Sequence, residues 1–225
     1  YPHGETTSHL IGFTDIDDYG ISGVEKAYND WLEGSGGEKV IIKENLEKRL
    51  LSGEKLTLKL GIDPTGSDVH IGHMVTIRKL RAFQELGHKV MIILADYTAR
   101  IGDPTGRDKM REPLTKEKVL ENVKDYKEQF GKILDLEKTE FPFQSDWFDK
   151  TTLEDIMEWA GIFTVQQMID RDMFQKRIQS GNPIGLHEFL YPLMQGYDSV
   201  AIKADVEFGG SDQEFNLLAG RTMQG

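Results

Sequence analysis

The sequence predicts an α/β fold: a Rossmann-like doubly wound parallel sheet carrying a helical insertion. Three observations point there. Strand-length apolar runs alternate with segments of helical period, the pattern of βαβ units. The run Val90-Met91-Ile92-Ile93-Leu94-Ala95 is apolar throughout, as a parallel strand covered on both faces must be. The run 56–62 ends in a Pro/Gly turn and then a helix start, Gly61-Ile62-Asp63-Pro64-Thr65-Gly66-Ser67-Asp68-Val69-His70-Ile71-Gly72-His73. Such a start offers unpaired backbone N–H groups and a positive dipole to phosphate.

The first residues differ in character from the rest. Ser8-His9, Gly12-Phe13, Gly20, Gly23, Glu25-Lys26, Tyr28, Leu32 and Gly34 lie in a turn-rich stretch. It resembles the segment that precedes the transpeptidase domain in class B penicillin-binding proteins. The catalytic motifs of that family do not follow: the Ser-x-x-Lys at Ser52-Gly53-Glu54-Lys55 sits in a turn before a strand, and no Lys-Thr-Gly appears. Residues 1–38 are therefore expected to be a foreign or unstructured segment, joined near Ser35-Gly36-Gly37, and 39–225 a partial catalytic domain.

From Val40 the elements follow in order. A short helix over 43–51 is expected to stop at Ser52-Gly53, with a strand over 56–62 after it. The helix opened by the histidines should bury Met74, Ile77, Leu80 and Leu86 and close at Gly87-His88. The strand 90–95 then completes a right-handed βαβ unit, which puts both strand ends and the histidines at one sheet edge. Thr115 caps a helix carrying Val119, Leu120, Val123, Tyr126, Phe130 and Ile133. Thr152-Leu153-Glu154-Asp155 reads as a capping box for a helix ending at Gly161. Thr164 caps another helix, expected to run to Ser180-Gly181. A short helix over 186–196 precedes a strand at 200–203 or 205–208.

Composition narrows the function classes. With 225 residues, 38% hydrophobic and 29% charged, the chain has the make-up of one large α/β domain. No stretch approaches the roughly 18–20 apolar residues of a membrane span, so no membrane partner is expected. The absence of cysteine excludes disulfides and thiolate metal sites and fits a cytoplasmic setting. A net charge of −11 argues against wholesale coating of nucleic acid, though not against a local RNA contact. The chain begins with Tyr1 and stops at Gly225 within a helical pattern, so a fragment is expected.

Four clusters carry chemistry. The first is Asp63 to His73. Gly72 lets a flat base or ribose lie against the backbone, and His70 and His73 fall within one helical turn. The second, Asp96 to Arg107, follows the second strand and contains Thr98 and Asp103, with Arg111 just beyond; a Gly-Asp-Pro turn and a solvated basic loop are its bland reading. In the third, Tyr191, Gln195 and Asp198 at i, i+4, i+7 share one helix face. Phenol, amide and carboxylate suit a core face poorly, since each needs a partner when buried; a solvated helix face is the competing reading. The fourth, Gly209-Gly210-Ser211-Asp212-Gln213, is a strand–turn–helix junction.

The His-Ile-Gly-His block resembles the signature of class I aminoacyl-tRNA synthetases, and Asp63-Pro64-Thr65 before it is similar to tyrosyl-tRNA synthetases in particular. The likeness runs from about Val40 to Gly225. It implies ATP, with Mg2+ held by the nucleotide and no dedicated protein metal site, and L-tyrosine and tRNA(Tyr) as substrates. His70, His73, Arg107 and Arg111 would serve catalysis by contacting phosphate; Asp63, Gly72, Gly210 and Asp212 would bind ATP. Tyr191, Gln195 and Asp103 would hold the substrate's ammonium group and Asp198 its phenolic hydroxyl. Thr98 would line the tyrosine pocket and Gln213 would point to the carboxylate or α-phosphate. A homodimer through the helical insertion is also implied.

Two departures stand out. In the larger bacterial branch, a tyrosine two residues before the motif glycine bonds the substrate phenol; here that position is Lys59. No Lys-Met-Ser-Lys-Ser block or anticodon-binding domain occurs, so weak turnover is expected of this chain. The alternatives are another His-x-Gly-His nucleotidyltransferase, which the tyrosine-pocket residues oppose, and a non-catalytic RNA-binding or regulatory relative, which the intact polar set opposes. A cell-wall interaction protein would rest on residues 1–34 alone.

Overall fold

The computed structural model describes residues 38–42, 46–64, 71–105 and 114–225. The penicillin-binding-protein-like stretch lies outside them. The described strands are β1 (Glu38–Ile42), β2 (Thr57–Ile62), β3 (Lys89–Leu94), β4 (Thr139–Glu140) and β5 (Val206–Gly210). They form one sheet in the order β1-β5-β2-β3-β4. β5, β2, β3 and β4 run parallel, as expected of a doubly wound fold. The sequence reading missed β1, which adds antiparallel to the β5 edge with Val40 opposite Phe208.

Ten α-helices are described. α1 is Leu46–Leu51, α2 Ile71–Glu85, α3 Thr98–Ile101, α4 Lys116–Phe130 and α5 Ser145–Phe148. α6 is Leu153–Gly161, α7 Val165–Ile169, α8 Asp172–Gln179, α9 Leu190–Ala201 and α10 Glu214–Met223. Their ends follow local chemistry. The Thr115 hydroxyl accepts from the Lys118 backbone N–H at the start of α4, and Thr152 with Asp155 forms a reciprocal capping box on α6. After α2 the chain turns at Gly87, whose φ of +84° suits glycine.

The period of two in the strands divides the sheet into two faces. One carries Leu58 and Leu60 with Val90, Ile92, Val206 and Phe208 of the partner strands; Ile77 and Leu80 of α2 and Tyr126 and Phe130 of α4 join that core. The opposite face carries Lys59 on β2 and Glu207 on β5, which are register partners, and both side chains reach α9. α9 also packs closely on α10: a Cβ on Gly196 would come within 3.1 Å of the Gly220 nitrogen, so only glycine permits this spacing.

The structure corrects several sequence expectations. Leu86 is 55% exposed, because it follows the last turn of α2 as the chain leaves the sheet. Leu120 is 39% exposed on the outer side of α4, and Ile133 lies beyond that helix, which ends at Phe130. The helix expected over 164–180 is broken between α7 and α8, where Arg171 adopts extended backbone (ψ 130°). The stretch 200–203 is not a strand: α9 continues to Ala201, and the strand is the later of the two alternatives. The short helix expected over 186–196 divides into a 3-10 turn, Leu186–Phe189, and α9.

Candidate active site

The strand order places the site. From β2 the chain builds outward through β3 to β4, then returns to the other side of β2 as β5. That reversal is a topological switch point, and beyond the carboxyl ends of its strands lies the crevice where open α/β sheets bind ligands. Asp63 follows β2 directly, Thr98 opens α3 just after β3, and Asp212 and Gln213 occupy a 3-10 turn, Ser211–Gln213, directly after β5. Asp103 follows α3, while Tyr191, Gln195 and Asp198 all lie on α9.

Hydrogen bonds tie these residues together. Asp63 accepts from the Tyr191 hydroxyl on Oδ2 (2.7 Å) and from the Thr98 hydroxyl on Oδ1 (2.7 Å). Gln213 Nε2 donates to Asp103 Oδ2 (2.5 Å), and Asp103 Oδ1 accepts from the Thr105 backbone N–H (2.8 Å). Burial together with the Asp63, Asp103 and Asp198 carboxylates holds the Tyr191 phenol well above its usual value of 10, so it is a neutral donor at physiological pH.

Asp198 is almost wholly buried, 1% exposed. Its Oδ2 accepts from Gln144 Nε2 (2.8 Å) and its Oδ1 from the Trp147 indole N–H (3.1 Å). Burial pushes its carboxyl up to about 7, against the opposing pull of the Lys59 ammonium and the Gln144 hydrogen bond. Gln144 is itself fixed, since its Oε1 accepts from the backbone N–H groups of Tyr97 (3.1 Å) and Thr98 (2.9 Å).

A second network steadies the other side. Arg171 Nη2 donates to Asn216 Oδ1 (3.0 Å), and Asn216 Nδ2 donates to Gln213 Oε1 (2.8 Å), which directs the Gln213 amine at Asp103. The Arg171 guanidinium lies 4.7 Å from the centroid of the Phe215 ring. Desolvation lowers its pKa to about 10 despite the nearby Asp103 carboxylate. A cavity of about 590 Å3 adjoins this network, with Thr105, Arg171, Asp212 and Phe215 in its wall. Its volume falls in the range of small-molecule sites.

The third cluster's helical spacing is realised, and all four clusters meet through Asp63, Thr98, Asp103, Tyr191 and Gln213. Asp63, expected on the ATP side, is bonded to two residues of the expected tyrosine pocket. His73 and Gly72 lie in the first turn of α2, Gly210 ends β5, and Asp212 is exposed. His70, Arg107 and Arg111 lie outside the described residues. Gln144, Trp147, Glu207, Arg171 and Asn216 went unrecognised in the sequence. The turn that holds Gln144 carries no periodic or motif signal, and Arg171 was read as mid-helix. Among the described residues, no group of three or more His, Cys, Asp or Glu is placed to hold a metal ion. Nor is any described helix long and apolar enough to cross a membrane.

Comparison with known proteins agrees with the fold. The family model for tRNA synthetases class I (W and Y) matches residues 51–225. The tyrosine–tRNA ligase of Carboxydothermus hydrogenoformans is 55% identical over 181 residues, covering 80% of this chain and 44% of the relative. That of Dehalococcoides mccartyi is 53% identical over 195 residues, covering 87% and 49%. The chain thus spans about half the length of the curated relatives it matches. Among solved structures, a C-terminally truncated mitochondrial tyrosyl-tRNA synthetase from Coccidioides posadasii superposes with a TM-score of 0.66 at 29% identity, covering 81% of this chain and 53% of that one. A tyrosyl-tRNA synthetase from Archaeoglobus fulgidus, complexed with L-tyrosine, gives 0.62 at 26% identity, covering 81% and 54%. With that family model matched over most of its length, the chain belongs to the class I tRNA synthetases of the W and Y group.

Proposed function

We propose that this chain carries the tyrosine-activating site of a tyrosine–tRNA ligase. The observation that carries the reading is Asp198: a carboxylate buried on α9 beside Tyr191, anchored by two fixed donors and able to receive one more hydrogen bond. A phenolic hydroxyl meets that need, whereas a phenylalanine ring leaves the carboxylate unmatched. Sites of this kind reject the deoxy analogue by about 10⁴–10⁵, a magnitude for which tyrosyl-tRNA synthetase is the standard worked example.

In the reaction, a carboxylate oxygen of tyrosine attacks the α-phosphorus of ATP. The bond from that phosphorus to the bridging oxygen breaks, and pyrophosphate leaves from tyrosyl-adenylate. A ribose hydroxyl at the 3′ end of tRNA(Tyr) then attacks the acyl carbon and AMP departs. No protein nucleophile is required, so the residues act by placement and by meeting charge as it develops. Tyr191, Gln195 and Asp103 hold the ammonium group, Thr98 lines the pocket, and Gln213 faces the carboxylate. Asp63 bridges Thr98 and Tyr191 beside the ATP site, while Gly72, Gly210 and Asp212 border the adenosine. His70, His73, Arg107 and Arg111 contact the phosphates, with which Mg2+ enters.

The synthetase unit is assigned to 39–225 and its insertion to about 150–190. A homodimer contact is placed on the insertion, where Leu153 and Met157 of α6 are 72% and 68% exposed. A cytoplasmic setting follows from the reaction's substrates. Calorimetric titration with L-tyrosine and L-phenylalanine tests the proposal: saturable tyrosine binding with far weaker phenylalanine binding is expected, and equal binding of the two would sink it.

A further inference from the structure

A buried pair of opposite charges lies beneath α9. Lys59 is fully buried and Glu207 is 5% exposed, and their charged ends meet at 2.9 Å. A buried ion pair loses much of its Coulomb gain to desolvation, and apolar residues of like volume often serve as well or better. What distinguishes this pair is where its remaining hydrogen bonds go, because all of them lead to α9. Lys59 Nζ donates to the Gln195 carbonyl (2.7 Å) and to Ser199 Oγ (2.9 Å). Ser199 Oγ donates to Glu207 Oε2 (2.6 Å), and Gln195 Nε2 donates to Glu207 Oε1 (3.3 Å).

We propose that Lys59 and Glu207 are positioning residues which, acting through α9, orient Gln195 and Asp198 for the ammonium and phenol of the substrate. The inference rests on the tyrosine reading of the site and adds a specificity device to it.

Two geometric facts carry it. First, an amide can face either way, and only its oxygen accepts from an ammonium group. By accepting from Gln195 Nε2, Glu207 fixes the amide with Oε1 turned away from the sheet. Second, Ser199 follows Asp198 directly in α9, so the bonds at Ser199 and at the Gln195 carbonyl set the height and rotation of the turn that carries Asp198. α10 seals the network, since a Cβ on Gly220 would come within 3.2 Å of both Glu207 Oε2 and Ser199 Oγ.

The pair also bears on the charge of Asp198. Facing that carboxyl are Lys59 from β2, Glu207 from β5, Gln144 and Trp147 around α5, and Tyr191 from α9 itself. Of these, Lys59 opposes the effect of burial most strongly, and Glu207 reinforces it.

The deciding experiment measures tyrosine affinity between about pH 6 and about pH 9 by calorimetry, with thermal unfolding recorded alongside. The chain is compared with Lys59→Met/Glu207→Gln, which removes both charges while retaining bulk. Expected is a folded protein whose tyrosine affinity at about pH 8 is lower by about tenfold. Its acid limb should move upward, because the stronger of the two opposing charges is gone. Glu207→Gln alone should move the limb downward, because the charge that reinforces burial is gone while Lys59 remains. If that single variant fails to fold, the double variant decides. A folded double variant with unchanged affinity and limb overturns the proposal. Absence of tyrosine binding by the unaltered chain overturns the tyrosine reading itself, and the positioning role with it.

Discussion

Gln144 Nε2 and Asp198 Oδ2 meet at 2.8 Å across 54 residues of sequence. Gln144 precedes α5 and Asp198 lies on α9, so this one bond couples the β3–α3 turn, which Gln144 holds through Tyr97 and Thr98, to the floor of the pocket. Replacing Gln144 by Ala leaves two backbone N–H groups and one buried carboxylate short of a partner. The expected cost is about 2–4 kcal/mol of stability, together with weaker tyrosine binding. Urea denaturation and calorimetry check both; a full loss of affinity without destabilisation would contradict the coupling.

Asp198→Asn is expected to lower tyrosine affinity by about 10–100-fold, the worth of a hydrogen bond to a charged group. Phenylalanine affinity should stay level or rise. Competition binding of the two amino acids measures the ratio.

Asp198 also sets a pH dependence of stability. Its folded value, about 7, lies above the ordinary aspartate value because burial disfavours the charge. A group raised on folding gives stability that is fully present below its unfolded pKa and lost as pH rises through the folded one. This contribution therefore declines between about pH 4 and about pH 7. Asp198→Asn removes the slope: the change in unfolding free energy between about pH 5 and about pH 8 should differ from wild type by about 2–3 kcal/mol. Paired denaturant curves at the two pH values give it directly.

His73→Ala should slow tyrosyl-adenylate formation by about 10²-fold while changing tyrosine affinity little, since the imidazole is assigned to phosphate. Tyrosine-dependent pyrophosphate exchange and equilibrium binding separate the two effects. A collapse of tyrosine affinity would remove His73 from that role.

Away from the site, Arg177 on α8 and Glu188 in the following 3-10 turn form a fully buried bidentate pair, at 2.6 and 2.9 Å. Arg177→Met strands the carboxylate and should cost about 3–5 kcal/mol. Arg177→Met/Glu188→Leu should restore most of that, as thermal unfolding will report.

Much was legible in the sequence because its cause is local. Thr115, Thr152 and Thr164 cap helices through bonds spanning three residues, and the i, i+4, i+7 spacing of Tyr191, Gln195 and Asp198 does place them on one helix. The unbroken apolar run of β3 foretold a strand buried on both faces. The order of elements foretold a parallel sheet.

What tertiary structure alone decided depends on partners far apart in the chain. Arg171 reads as one more polar residue in a helix until its contacts with Asn216 and Phe215 accompany a break in that helix. Lys59 reads as an interruption in an apolar strand until sheet register sets it against Glu207 and beneath α9. Periodicity and capping act within a few residues, so sequence by itself determined the capped helix starts, the apolar central strand and the family likeness. Desolvation and ion pairing depend on what folding brings close, so only the assembled sheet decided which of these polar groups are buried, charged and held in place.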